Sequence, residues 1–532
     1  MTADEPTWGK LSANFYYALS SGEVSATYQI AHPGVTMLWI GALAYQVKFP
    51  EYRQVGQVQI GDTKLFQIFQ KHGPPPIELL ATARLGMVLV NLLTILVAYF
   101  YARRLWGRTA VWVGFLLLIF DPFYTAHSRL FHVDAFLAIF LFASLLAFLW
   151  FLQSGKMGAL LVSGFLAGLS WLTKTPGFLS IAVVAGLSLW AWRASFAQGD
   201  HMRHKGFGKG VLLPLAGWLL SGGVVFFLLF PAMWSDPGGT LAKVIGYTLE
   251  SSQGMHGGAQ FVDAFEGGPC SGFCYLYFYP YTYLWRTTPL VLIGLILAGV
   301  ALLKKEGMGK SSQERFALFA LLFYVLIFTL VMSLASKKFD RYLLPIYLPL
   351  DMLAGWGWVR GAQWLKAIRW RALRRLLIGL VLMGVVVLQS VLALHHAPYY
   401  LTYFNPWMGG SRGAPQEMMI GWGEGLEQAV LYLKGLPDIQ HKRVISWYAL
   451  SFNWYSLSLG FLADPIPVVR DISQAQLADL QTADYAVVYV NQWQRHMPKA
   501  FMDFIEPYNP QQTIWLKGME YVRIYRLNGA SP

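Results

Sequence analysis

Ten apolar runs decide what this chain can become. They lie at 81–102, 109–125, 131–152, 158–173, 176–192, 210–231, 286–303, 316–334, 342–359 and 376–395. A bilayer core is crossed by about 20 apolar residues of helix, with a lower limit of roughly 17. Each run is read as a membrane-spanning helix, several of them near that lower limit. The composition agrees: of 532 residues, 55% are hydrophobic and 13% charged, against about 25% charged in a soluble domain. The expected class is a polytopic helical membrane protein. Its net charge of +13 belongs to loops on one side of a membrane and does not point to nucleic acid.

The basic residues set the orientation. Alternate loops, "ARRLWGRT", "QSGKM", "RASFAQGDHMRHKGFGK", "KKEGMGKSSQER" and "RGAQWLKAIRWRALRR", hold 18 Lys and Arg against three acids. Such loops stay cytoplasmic. The opposite set then faces outward: 121–130, the turn at 173–176, the long loop 232–285, the short loop 335–341 and everything after 395. Residues 1–80 form a first extracytoplasmic loop, with the apolar stretch 32–49 laid on the outer surface as a juxtamembrane helix. This order expects a further span ahead of residue 1. Residues 81–396 form the membrane domain, and a multi-pass position in the plasma membrane is expected.

After 395 the chain is polar enough to fold in water. "EQAVLYLKGL" and "DISQAQLADLQTA" read as helices, and "RVISWYAL", "DYAVVYV" and "YVRIYRL" as strands. Residues 397–532 are thus expected to form a small extracytoplasmic α/β domain. Cys270 and Cys274 share the outer loop, where oxidation is permitted, and are expected to pair as a disulfide. No CxxC or zinc spacing is present.

Ionisable residues gather at the outer ends of the spans, from six separate segments. They are Asp4 and Glu5 in "ADEP", His32 in "AHP", and His127, Arg129, His132 and Asp134 in "DPFYTAHSRLFHVDAF". Lys174 follows in "LTKTPG", His256 in the long loop, and Lys337, Lys338 and Arg341 in "KKFDR". A charge at a membrane boundary is costly unless paired or solvated. Acids and bases converging on one face suggest an anionic ligand with a reacting partner. Plainer readings exist for each. Asp4 sits in a terminal tail or caps a helix. Arg129 and Asp134 pair with each other. Lys174 snorkels to headgroups, Lys337 and Arg341 hold anionic lipid, and His256 is structural.

The order of these pieces resembles a known family. "DEP" with "HPGVTMLWIG", "SRLFHVDAFLAIFLFASL", "GLSWLTKTPGFL", "FYPYTYLWRTTPLVLIGL", "KKFDRYLLPIYLPL", "PYYLTYFNPWMGG" and "GWGEGLEQA" occur in sequence over nearly all of residues 4–434. Together they resemble membrane glycosyltransferases of the GT-C type. The branch is that of bacterial protein O-mannosyltransferases and the lipid A aminoarabinose transferase, like glycosyltransferase family 39. At "GWGEG" relatives often carry an aspartate and Gly-Gln instead.

The resemblance implies an inverting transfer of a sugar from a polyprenyl-phosphate donor to an acceptor hydroxyl at the outer face. The acceptor is a protein, a lipid or a glycan, and membrane lipids surround the enzyme. A phosphate leaves as a stable anion without a general acid, so one carboxylate suffices as base. The resemblance gives that role to Asp4, with Glu5 beside it. Arginine grips phosphate bidentately and lysine acts as a point charge. Lys337, Lys338 and Arg341 are then a phosphate clamp, Lys174 a second contact and Tyr342 an orienting ring for Arg341. Asp134 holds a cation or an acceptor group, and Arg129, His32 and His256 are further substrate contacts. No cofactor is required, although Asp4, Glu5 and Asp134 leave room for a divalent metal. A transporter or flippase of a polyprenyl-linked lipid is the alternative. It would be expected to show repeated halves and polar groups at depth, and neither is evident. A scaffold presenting the C-terminal domain leaves Asp4 and Lys174 unexplained.

Overall fold

The computed structural model describes residues 1–30, 32–57, 64–198, 206–252, 274–304, 312–335, 338–364 and 370–527. The chain opens with three helices ahead of the first apolar run: α1 (Glu5–Ser21), α2 (Val35–Lys48) and α3 (Lys64–His72). Pro6 stands in the first turn of α1, where its missing N–H costs nothing. Asp4 holds the N-cap position, yet its carboxylate makes no capping hydrogen bond. It is left for other partners. α2 packs on α1 and leaves Leu43 and Val47 exposed.

Helices then follow at every apolar run: α4 (Pro76–Leu105), α5 (Arg108–Ile119), α6 (Pro122–Ser128), α7 (Val133–Ser154) and α8 (Met157–Thr173) come first. Leu179–Gln198, Leu213–Leu229, Pro289–Leu303, Ser312–Leu334, Leu344–Gln363 and Arg371–His395 complete the set. Six helices among the described residues are long and apolar enough to cross a membrane. Two bent helix pairs, each a broken span or a re-entrant loop, join them: α5 with α6 at 67° and Leu276–Arg286 with Pro289–Leu303 at 117°. Asp121 makes the first bend: its Oδ1 accepts from Tyr124 N at 2.7 Å, capping α6 ahead of Pro122.

α7 is the axis of the bundle and is buried almost throughout, packed by α4, α8 and Leu344–Gln363. Small residues let the helices approach. A Cβ on Gly355 would lie 2.3 Å from Gly114 N. Ser144 Oγ donates to Ser163 O at 2.8 Å across the α7–α8 seam.

The C-terminal part is a five-stranded sheet in the order β2-β1-β3-β5-β4. The strands are β1 (Val444–Ser446), β2 (Ala463–Pro465), β3 (Tyr485–Tyr489), β4 (Gln512–Leu516) and β5 (Met519–Arg526). β1 pairs in parallel with β2 and β3, while β5 is antiparallel to β3 and β4. β3, "YAVVY", is wholly buried, as a central strand covered on both faces must be. The expected fold class, a helical membrane domain with a small C-terminal α/β domain, is the one observed. Two strands were not foreseen: β2 has three residues, one a proline, and β4 lies at the edge. The second half of "RVISWYAL" turns instead into the helix Ala449–Ser456.

Candidate active site

Four segments far apart in sequence meet beside the start of α7. His132 precedes α7 and Asp134 stands in its first turn. Lys174 caps the end of α8 in an extended conformation, ahead of the short turn Thr175–Phe178 in which Pro176 holds the second position. Arg341 sits in the short turn Asp340–Leu343 that leads into Leu344–Gln363. Asp4 arrives on α1.

Asp134 is the hub. Its side chain is buried, with Oδ1 accepting from Lys174 Nζ at 2.7 Å. Its Oδ2 lies 3.3 Å from Arg341 Nε and 3.2 Å from His132 Nδ1. Arg341 and His132 both reach on to Asp4: Nη2 and Nε2 each lie 3.4 Å from Asp4 Oδ2. One carboxylate thus fixes two cations and an imidazole, and Arg341 and His132 among them hold the second carboxylate. Burial favours the neutral acid at Asp4. The His132 hydrogen bond and the Arg341 charge outweigh it and hold the carboxyl down, at about 2. Burial disfavours a charged His132, but Asp134 and Asp4 raise its pKa above the ordinary value. Arg341 is likewise raised against burial, by Asp4 first among its charged neighbours. Asp4 keeps 41% of its side-chain surface open, against 2% for Asp134. Asp4 is therefore the carboxylate a substrate can reach.

Aromatic rings close the site. Lys174 Nζ lies 4.0 Å from the centroid of Tyr342, and the Arg341 guanidinium 4.2 Å from Trp422 and 4.6 Å from Phe339. Trp422 also meets His132 edge-on at 5.0 Å. It comes from the C-terminal loop "GWGEG", whose glycines 421, 423 and 425 all have positive φ. At Gly423 a Cβ would stand 2.4 Å from Met1 O. The loop can press against the start of the chain only with glycine there. A cavity of about 210 Å³ opens between the two domains, lined by Asp4 and Arg341 on one side and by Trp422, Glu424, Tyr448 and Asn491 on the other.

Other expected site residues stand elsewhere. Glu5 is fully buried and receives Arg84 through both oxygens, at 2.7 and 2.6 Å, and the backbone N–H of Thr2 and Phe131. It ties α1 to α4. Lys338 is buried too, turned back to donate to Ser333 O and Ala335 O at 2.7 Å each, closing the end of Ser312–Leu334. Arg129 donates to Pro398 O and stacks on Tyr400. His32 packs against Trp8, whose ring also meets His132 edge-on. Lys337, His256 and Cys270, and the side chain of Cys274, lie outside the described residues. No group of three His, Cys, Asp or Glu side chains able to hold a metal ion occurs among the described residues, and the Arg341 guanidinium stands between Asp4 and Asp134.

Sequence reasoning gave no role to His132 or Trp422, nor to Arg286. Arg286 Nε donates to buried Asp340 at 2.8 Å, and Asp340 Oδ1 accepts from Arg341 N at 2.7 Å. This chain sets the turn that aims Arg341. The His-x-Asp spacing of 132 and 134 was a readable signal, since the residue ahead of a helix and one in its first turn can share a partner.

The dolichyl-phosphate-mannose-protein mannosyltransferase family is matched over residues 79–207. The matched stretch contains His132, Asp134 and Lys174, while Asp4, Arg341 and Trp422 lie outside its bounds. No curated protein matches the sequence. Among solved structures the chain is similar to ArnT from Cupriavidus metallidurans bound to undecaprenyl phosphate. The identity is 16%, with 99% of this chain and 94% of that chain covered, at a TM-score of 0.48. It is also similar to the oligosaccharyltransferase AglB from Archaeoglobus fulgidus in complex with an inhibitory peptide and a dolichol-phosphate. There the identity is 11%, the coverage 97% and 70%, and the TM-score 0.44.

Proposed function

We propose that the protein is an inverting glycosyltransferase that moves a sugar from a polyprenyl-phosphate donor to an acceptor hydroxyl at the outer face of a membrane. The observation that carries this reading is the pairing of an open carboxylate, Asp4, with two cations, Arg341 and Lys174, anchored on a buried one, Asp134. In the reaction, Asp4 takes the proton of the acceptor hydroxyl as its oxygen bonds to the anomeric carbon. The bond from that carbon to the phosphate oxygen breaks, and its electrons leave on the polyprenyl phosphate. Arg341 and Lys174 receive that charge from fixed positions, which is where electrostatic catalysis is most effective. A single displacement inverts the anomeric carbon. The family matched by residues 79–207 is named for a sugar carried on a polyprenyl phosphate, which supports the donor class.

The test is product analysis. Purified protein is incubated with polyprenyl-phosphate sugars and hydroxyl-bearing acceptors, and products are read by mass spectrometry. The reading expects a glycosylated acceptor and free polyprenyl phosphate in equal amounts. Movement of intact donor across vesicles with no cleavage would contradict it.

A further inference from the structure

The cavity beside Asp4 contains three buried polar side chains that the reaction above does not use. His127 is 3% exposed, and neither ring nitrogen has a hydrogen-bond partner among the described residues. Glu424 is 9% exposed and its Oε1 has none. Asn491 is 4% exposed and its Oδ1 has none. Buried polar groups are nearly always paired, so an unsatisfied one calls for a cause. Here three line the same cavity, one from the membrane domain and two from the C-terminal domain.

We propose that His127, Glu424 and Asn491 form the subsite for the sugar ring of the donor. The inference rests on the transferase reading and adds the residues that would read the sugar. Four features favour a neutral ring rich in hydroxyls. The unsatisfied atoms include two that only accept, Glu424 Oε1 and Asn491 Oδ1, and an imidazole that can give one hydrogen bond and take another. Hydroxyl groups match both needs. The lining is balanced in charge, with Arg286, Arg341 and Arg495 set against Asp4, Asp340 and Glu424. Phe123, Phe339, Trp422 and Tyr448 give it aromatic walls. At about 210 Å³ it falls below the roughly 300–1,000 Å³ of pockets for drug-sized ligands, which suits one ring and not an extended glycan. Arg341, the proposed phosphate contact, lines the same cavity, so a sugar joined to that phosphate enters it first.

Each residue is held in a way that frees the unsatisfied atom. Glu424 Oε2 accepts from Trp422 N at 2.7 Å and from Tyr489 OH at 3.0 Å, leaving Oε1 over. Asn491 Nδ2 donates to Tyr448 OH and Gly421 O. His127 is fixed by its rings alone, edge-on to Phe123 at 4.7 Å and against Trp422 at 5.8 Å. Two substitutions therefore change the chemistry and keep the packing. Glu424→Gln can keep its oxygen on Trp422 N and Tyr489 OH and turns only the spare acceptor into a donor. His127→Phe keeps the ring contacts and removes both nitrogens.

The test measures affinity of the full chain in nanodiscs for undecaprenyl phosphate bare and carrying mannose, glucose or N-acetylglucosamine. One sugar-bearing lipid is expected to bind more tightly than the bare one. Each variant should weaken that lipid roughly tenfold, the effect of one lost hydrogen bond, and leave bare undecaprenyl phosphate unchanged. Parallel weakening of both would assign the residues to the fold. No gain from any sugar, or an effect confined to the acceptor KM, would overturn the subsite while leaving the transferase reading intact. Failure of the bare lipid to bind at all would remove the donor reading on which both depend.

Discussion

Asp4 and Glu5 are adjacent acids with unlike tasks. Successive residues on a helix point about 100° apart. Where Asp4 faces the cavity, Glu5 faces α4 and is consumed by Arg84. Glu5→Gln should therefore cost roughly 3 kcal/mol of stability, as breaking a buried ion pair does, with turnover per folded molecule retained. Its pH signature has a definite sign. Burial favours the neutral acid at Glu5, but Arg84 outweighs it and holds the carboxyl at about 2, below the ordinary 4.5. Its contribution is present above 4.5 and is lost as pH falls toward 2. Unfolding followed across that window should be flatter in the variant. Arg341→Ala and Lys174→Ala should weaken donor binding roughly tenfold or more, the scale of a charge-assisted contact. Arg341→Lys should restore only part, because the fork geometry is lost. Titration of polyprenyl phosphate against each variant measures this. The sequence shows that acids and cations are present at these positions. It does not show that Lys338 turns to its own helix end while Arg341, three residues on, turns to Asp4. Those choices are made by tertiary partners, Arg286 through Asp340 above all.

Among the elements, the apolar runs were legible because hydropathy alone fixes where helices must lie, and helices occupy all ten. The bend at Asp121 was less so, since a run read as one span at 109–125 is split by a capped Pro122. In the sheet, the buried β3 was readable from composition, whereas β2 is held by parallel pairing and not by its own residues. The end of Ser312–Leu334 allows a test at this scale. Lys338→Met removes the donor to two buried carbonyls and should cost roughly 1–3 kcal/mol, without changing donor affinity in the folded fraction. Burial lowers the Lys338 amine to about 8 from 10.5. The folded state thus binds fewer protons, and this residue's contribution to stability rises with pH between those values. The variant should lose that slope in thermal unfolding followed from pH 8 to 10.5.

At the scale of the whole molecule, the C-terminal domain is part of the site and not an appendage. Its "GWGEG" loop covers Arg341 and His132, and Trp422 O accepts from Ala3 N at 2.7 Å. The sequence separated the two domains by polarity, but nothing in it showed that one closes the candidate site of the other. Orientation is tested by labelling. A cysteine placed in 193–209 should be shielded from an impermeant thiol reagent in intact cells, and one placed in the C-terminal domain should react. The central claim is that Asp4 is the base of a transfer whose donor is gripped by other residues. Asp4→Asn keeps the size and removes the proton acceptor. Measured together on one folded preparation, its turnover should fall by roughly 10²–10⁴-fold, the usual contribution of general-base catalysis. Its affinity for the polyprenyl-phosphate donor should stay near that of the parent, because the base acts in the transition state. Parent-level turnover in that preparation would contradict the account.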